Sequence, residues 1–148
     1  MNRYFTGKRE KITAYLRGFL DNVQKNFSAI HPLGADLIDR LFRFTAEGKM
    51  LRGALACLGY DLFRNSADDS MISLGAAIEL FQSALLIHDD IMDRDVSRRG
   101  KPSLFYHYQQ KALNENLSDA FHAGESLAIC AGDAAFFLAY EILGKNPF

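Results

Sequence analysis

Leu85-Leu86-Ile87-His88-Asp89-Asp90-Ile91-Met92-Asp93-Arg94-Asp95 runs straight into Val96-Ser97-Arg98-Arg99-Gly100-Lys101-Pro102-Ser103. The stretch begins as an apolar helix and ends in four acids and a basic loop. From Ser70 onward, the positions Ile72, Leu74, Ala76, Ala77, Ile78, Leu80, Phe81, Ala84, Leu85, Ile87 and Ile91 continue without a proline. That pattern predicts one long buried helix. Asp89 and Asp93 are four apart and share a face, whereas Asp90 points about 100° away.

So many acids sit at the wrong pole of that helix. The carbonyl end carries roughly half a negative charge, and each acid there is disfavoured by about 0.3–1 kcal/mol. Like charges one turn apart add about 0.2–0.5 kcal/mol. The pattern calls for a cation. Hard oxygen donors without a His/Cys set favour Mg²⁺. The competing reading is a solvated helix end paired with Arg94, Arg98 and Arg99.

A second charge anomaly precedes it in Glu47-Gly48-Lys49-Met50-Leu51-Arg52-Gly53. Lys49 and Arg52 are expected in the first turn of a helix, where free amides are already positive. An anion would reverse the sign of that interaction, and amides, a lysine and a forked guanidinium make a phosphate site. A solvated pair leaning on Glu47 or Asp61 is the alternative. Gln82 lies two turns before Asp89 on the same stripe, among Leu80, Phe81, Leu85 and Leu86, so it needs a partner if buried. Arg98 and Arg99 can face two different anions. Together these residues describe a site for two phosphorylated groups, one held through Mg²⁺ and one directly.

The rest of the chain fits a helical frame. Ile12, Tyr15, Leu16, Phe19, Leu20, Val23 and Phe27 predict a helix over about 8–27. Ile30-His31-Pro32-Leu33-Gly34 is expected to break it, with a shorter helix through Leu37, Ile38, Leu41, Phe42 and Phe44. Met50 to Phe63 reads as a third helix packing through Leu51, Leu55, Leu58 and Leu62. Asn65-Ser66-Ala67-Asp68-Asp69-Ser70 is a polar turn with capping residues for the long helix. Ser103 to Leu113 reads as a short helix, and Ser118 or Asp119 caps a last one to about Leu143. No run of alternating β-branched residues competes, so the expected class is all-α.

With 148 residues and 49% hydrophobic content, the chain can bury a sizeable core. A net charge of -1 leaves no electrostatic footprint for nucleic acid. Cys57 and Cys130 lack metal-ligand spacing and read as reduced core residues of a cytoplasmic protein. The N-terminus lacks the apolar segment of a signal peptide. The apolar stretch Leu127 to Leu143 contains Asp133 and Glu141, and reads as a buried helix in place of a membrane span. His31, His107 and His122 form no constellation. His88 is one step off the face of the acids and reads as a residue that supports them or packs beside them and not as a ligand, and Asp133 as a buried, satisfied acid or a similar support.

The motifs resemble those of the trans-isoprenyl diphosphate synthases, or polyprenyl synthetases, which include farnesyl and geranylgeranyl diphosphate synthases. Asp89-Asp90-Ile91-Met92-Asp93 resembles their DDxxD motif, and Arg98-Arg99-Gly100-Lys101-Pro102-Ser103 their RRGKP(S/T). Gly48-Lys49-Met50-Leu51-Arg52 is similar to GKxxR, with Met50 where Arg is common and Gly53 where Pro is common. Ala131-Gly132-Asp133 resembles a later helix motif. The resemblance runs from about residue 40 onward.

It implies an antiparallel helix bundle around a central cavity, of isoprenoid synthase type, of which residues 1–148 are the N-terminal part of one domain. It implies condensation of isopentenyl diphosphate with an allylic diphosphate, Mg²⁺ as cofactor, and a homodimer. Asp89 and Asp93 would hold Mg²⁺ with Asp90 in support, and Arg98 would contact the allylic diphosphate. Gly48, Lys49, Arg52, Gln82 and Arg99 would hold isopentenyl diphosphate. Ala84 and Leu85, with Phe81 one turn deeper, would limit product length to medium or longer. The family's second aspartate-rich motif has no counterpart here, so the 148 residues alone are expected to turn over little or nothing. A regulatory partner subunit without catalysis, or a class I terpene cyclase fragment, is the alternative; the latter would not need Lys49 and Arg52.

Overall fold

The computed structural model describes residues 3–64, 69 and 71–145. The described residues are all-α apart from one small hairpin. Its elements are α1 (Arg3–Ile30), α2 (Pro32–Ala46), α3 (Leu51–Arg64), α4 (Ile72–Met92), β1 (Ser97–Arg98), β2 (Lys101–Pro102), α5 (Leu104–Asn114) and α6 (Ala120–Gly144). They form two compact units, residues 1–81 with 137–148, and residues 82–136.

In the first unit, α1 and α2 form an antiparallel hairpin with a one-residue break. Both helices run further than the sequence pattern predicts. His31 alone is extended, and its Nδ1 accepts the Leu33 N–H at 3.1 Å. Pro32 occupies the first helical position, where its missing N–H costs nothing and its φ is preset. Gly34 stays helical because it lies on α1: a Cβ there would stand 2.6 Å from the Phe27 carbonyl oxygen. The far end of the hairpin closes where Arg9 Nη2 donates to the Ala46 carbonyl at 3.3 Å.

Helix α3 packs with the opposite face from the one expected. Its buried residues are Gly53, Ala54 and Cys57, while of the four expected leucines Leu51, Leu55 and Leu62 are exposed and Leu58 is half-buried. The reason is backbone proximity. A Cβ on Gly53 would come within 2.5 Å of the Gly75 carbonyl oxygen on α4, so only small residues fit that seam. Towards α1, Lys8 pairs with Asp61 at 3.1 Å, and the Tyr4 hydroxyl donates to the same carboxylate at 2.6 Å. The capping expectation for residues 65–68 and 70 falls outside the described residues; the Asp69 carbonyl accepts the Ile72 N–H at 3.1 Å.

In the second unit, α5 and α6 meet at Gly124, whose Cβ would stand 2.7 Å from the Phe105 carbonyl oxygen. Asp119 caps α6, its Oδ1 accepting the His122 N–H at 3.0 Å. Helix α6 is long and apolar enough to cross a membrane by length and composition, but it also buries Ala128, Ala131, Ala135 and Leu138 in the fold. Two expectations on it are corrected. Cys130 is exposed, and Asp133 is an exposed acid and not a buried one. Both lie one residue beside the small buried positions, and the helical period turns them outward.

Candidate functional site

Helix α4 ends in a Schellman motif. The Asp95 N–H donates to the Asp90 carbonyl at 2.9 Å and the Arg94 N–H to the Ile91 carbonyl at 3.2 Å, with Arg94 at a φ of 56°. This stops the helix at Met92, with Asp93 at its cap, and turns the chain into the basic loop. Residues 97–102 then fold back as a hairpin, with Ser97 opposite Pro102 and Arg98 opposite Lys101. The turn residues Arg99 and Gly100 have φ of 55° and 75°, the positive values that a tight two-residue hairpin requires at both central positions. The Ser103 N–H closes the loop on the Val96 carbonyl at 3.0 Å.

The hairpin aims Arg98 at the helix it just left. Arg98 Nε donates to Asp90 Oδ1 at 2.6 Å, and Nη2 reaches Asp89 Oδ2 at 3.3 Å. Asp90 is 1% exposed, and its Oδ2 is buried with no hydrogen-bond partner. Burial pushes the Asp90 carboxyl above the ordinary carboxylate range; the Arg98 hydrogen bond and charge oppose that shift, and Asp95 and Asp89 add to it. Arg98 is raised in turn by its bond to Asp90. Asp89 is half-exposed at 50%, and Asp93 is exposed. The three acids therefore divide: Asp90 turns inward to Arg98, Asp89 keeps half its side chain in solvent while one oxygen meets Arg98, and Asp93 is exposed. Among the described residues, no three His, Cys, Asp or Glu side chains converge closely enough to hold a metal by themselves.

The second predicted cluster lies in the other unit and differs from expectation. Lys49 is exposed in the non-helical segment before α3, and Met50 follows at a φ of 50°, so of the two cations only Arg52 stands in the first helical turn. Gly48 is buried, its N–H donating to the Thr45 carbonyl at 3.0 Å. The N-terminal amides of α3 do attract a negative charge, and it is the protein's own. Glu79, 7% exposed, accepts the Gly53 N–H at 2.7 Å. This partner was missed in the sequence, where the signal was one acid between Ile78 and Leu80 in an otherwise apolar helix.

A polyprenyl synthetase family model matches residues 36–147. The chain belongs to the polyprenyl synthetase family. It is 32% identical over 136 residues to a short chain isoprenyl diphosphate synthase of Methanocaldococcus jannaschii, covering 92% of this chain and 34% of that protein. It is 36% identical over 100 residues to a geranylgeranyl diphosphate synthase of Sulfolobus acidocaldarius, covering 68% of this chain and 26% of that one. Its fold matches a crystal structure of geranylgeranyl pyrophosphate synthase from Corynebacterium glutamicum, complexed with isoprenyl diphosphate and magnesium. The TM-score is 0.84 at 28% identity, over 99% of this chain and 42% of that one. The chain thus spans about a third or less of the length of these curated relatives.

Within this polyprenyl synthetase chain, the open pair Asp89 and Asp93 suits a magnesium ion. Mg²⁺ keeps several waters and is usually held by one or two carboxylates together with substrate phosphates. Asp90 does not suit one, because Arg98 takes its Oδ1 and its Oδ2 is buried. Of the residues expected to meet a prenyl tail, Ala84 is fully buried, Leu85 is 46% exposed, and Phe81 packs edge-on with Tyr140. Gln82 is partly exposed. A groove between α1 and α2, lined by Thr6, Arg9, Thr13, Arg17, Phe42 and Ala46 among others, includes none of the expected site residues.

Proposed function

We propose that this chain is the N-terminal part of a Mg²⁺-dependent trans-prenyl diphosphate synthase that condenses isopentenyl diphosphate with an allylic diphosphate. The observation that carries the reading is the pairing of an open acid face, Asp89 and Asp93, with an arginine hairpin folded back on it. In this reading Asp89 and Asp93 would hold Mg²⁺, which would supply positive charge to the diphosphate of the allylic substrate. Arg98, already at the acids, turns to the same diphosphate and steadies the charge that grows as the carbon–oxygen bond breaks. Lys49, Arg52, Gln82 and Arg99, with Gly48 allowing close approach, hold the second diphosphate. The isopentenyl double bond then forms the new carbon–carbon bond, and a proton leaves to the departed diphosphate. No side-chain nucleophile is required.

The product is a polyprenyl diphosphate of medium length or longer, such as geranylgeranyl diphosphate, made by a cytoplasmic homodimer without membrane insertion. Leu85 rather than Ala84 is the residue a tail would meet, because Ala84 is enclosed in packing. The 148 residues alone turn over little or nothing, since the relatives are about three times as long. The test is calorimetric titration of the chain with Mg²⁺ and an allylic diphosphate analogue. Asp89→Asn and Asp93→Asn should each weaken binding about tenfold or more, and Asp95→Asn should not. Equal binding by all four proteins would sink the reading.

A further inference from the structure

His88 immediately precedes the acids, and the structure gives it an environment that the proposed chemistry does not use. Its imidazole stacks on the Phe136 ring at 5.7 Å between centroids and 13° between planes. On another side it rests on Gly132: a Cβ there would stand 2.6 Å from His88 Nε2. Nε2 also lies 3.2 Å from Asp133 Oδ1, yet it is buried with no hydrogen bond. The contact is therefore off the hydrogen-bonding line, and the ring is held by shape more than by a directed bond. All four residues belong to the same compact unit.

We propose that His88 is a positioning residue: seated between Gly132 and Phe136 of α6, it fixes the rotation at which Asp89 and Asp93 leave α4. The inference rests on the reading that those two acids bind a divalent cation. Consecutive residues are about 100° apart around a helix, so His88, Asp89 and Asp90 face three directions. His88 is gripped by α6, Asp90 is gripped by Arg98, and Asp89 between them stays open. A carboxylate lies about 5–6 Å from the helix axis, so a rotation of about 20° would move it about 2 Å. Metal–ligand distances tolerate only about 0.2 Å. Two grips on either side of Asp89 remove that freedom; the His88 grip leaves the ligand face untouched, and Arg98 reaches it only through Nη2, 3.3 Å from Asp89 Oδ2. Nε2, enclosed against Gly132, is itself in no position to act as a ligand or a base.

The test is Mn²⁺ binding with inorganic diphosphate, followed by electron paramagnetic resonance on the 148-residue chain. Affinity and the number of sites are read separately, with circular dichroism as the measure of folding. His88→Ala and Gly132→Ala should each weaken Mn²⁺ affinity about tenfold or more, the range seen when groups that orient metal ligands are removed. The His88→Ala/Gly132→Ala double variant should be no weaker than His88→Ala alone, because Gly132→Ala acts only by pushing the imidazole. His88→Gln, a planar group of similar reach, should recover part of the loss. Asp133→Asn should bind as the parent does. A purely structural role would lower the number of sites in step with the unfolded fraction and leave affinity unchanged, which would overturn the proposal. If His88→Ala does not fold, Gly132→Ala and His88→Gln decide on the same criterion. Asp89→Asn is the control for the underlying reading. If it weakens binding while His88→Ala and Gly132→Ala do not, positioning fails and the metal site stands; if it binds as the parent does, both fail.

Discussion

Arg98 and Asp90 form the pair on which the acidic end of α4 depends, and their environments are unequal. Asp90 is enclosed, while the Arg98 side chain keeps 23% of its surface exposed. Removing one partner of a buried pair leaves an uncompensated charge and costs about 3–5 kcal/mol. Arg98→Gln should therefore destabilise the chain by about 3 kcal/mol at neutral pH in urea denaturation. The pH dependence has a defined sign. Burial raises the folded-state pKa of Asp90 above its ordinary value, and Arg98 opposes that rise. A carboxyl that holds its proton more tightly when folded favours folding below its unfolded pKa, and that contribution is lost as pH rises through the folded value. In Arg98→Gln burial acts unopposed, so the deficit should shrink as pH falls towards the carboxylate range. A pH-independent deficit would clear Asp90 of responsibility. Earlier on the same helix, Leu85→Phe in a chain joined to the rest of a synthase should shorten the product, read by chromatography of the prenyl alcohols. An unchanged product distribution would remove Leu85 from the tail's path.

At the scale of elements, the contact of α3 with α4 has the least tolerance. Gly53 and Gly75 bring two backbones together, and the Gly53 N–H is held by Glu79 across the seam. Gly53→Ala must push apart backbone atoms and not a flexible side-chain tip. It should cost about 1–3 kcal/mol, measured as a lowered midpoint in urea; a neutral result would mean that the seam opens easily. The sequence made these elements legible in different degrees. Long apolar runs predicted α4 and α6 well, and the existence though not the full length of α1, because a 3.6-residue period over many turns has no competing reading. The α1–α2 break was read too wide, since Pro32 signals a start as readily as a stop. The face of α3 was read backwards. Periodicity says that two faces differ, but it does not say that the small-residue face has a partner close enough to exclude leucine. The arginine hairpin was legible only as a loop, because its two-residue strands are too short for any alternation.

Over the whole molecule, the consequence of that inverted face is exposed apolar surface. Leu55 is 54% exposed, Leu62 68% and Phe63 92%. Contiguous exposed apolar residues favour association. Sedimentation of the 148-residue chain should show concentration-dependent self-association, and Leu55→Glu with Phe63→Ser should reduce it. The melting temperature should hardly move, because surface changes of this kind stay within about 0.5 kcal/mol each. A parent chain that stays monomeric at all concentrations would contradict the expectation.

The sequence by itself determined the helical class, the order of the helices, the face shared by Asp89 and Asp93, and the motifs that mark the polyprenyl synthetase family. These depend on helical period and local spacing, which are properties of neighbours along the chain. Only the tertiary structure decided that Asp90 pairs with Arg98, that Glu79 takes the α3 amide, and that His88 is seated on Gly132 and Phe136. Each of these depends on which side chain lies opposite across a seam. That is settled by how closely two backbones can approach, and no spacing within one helix encodes it.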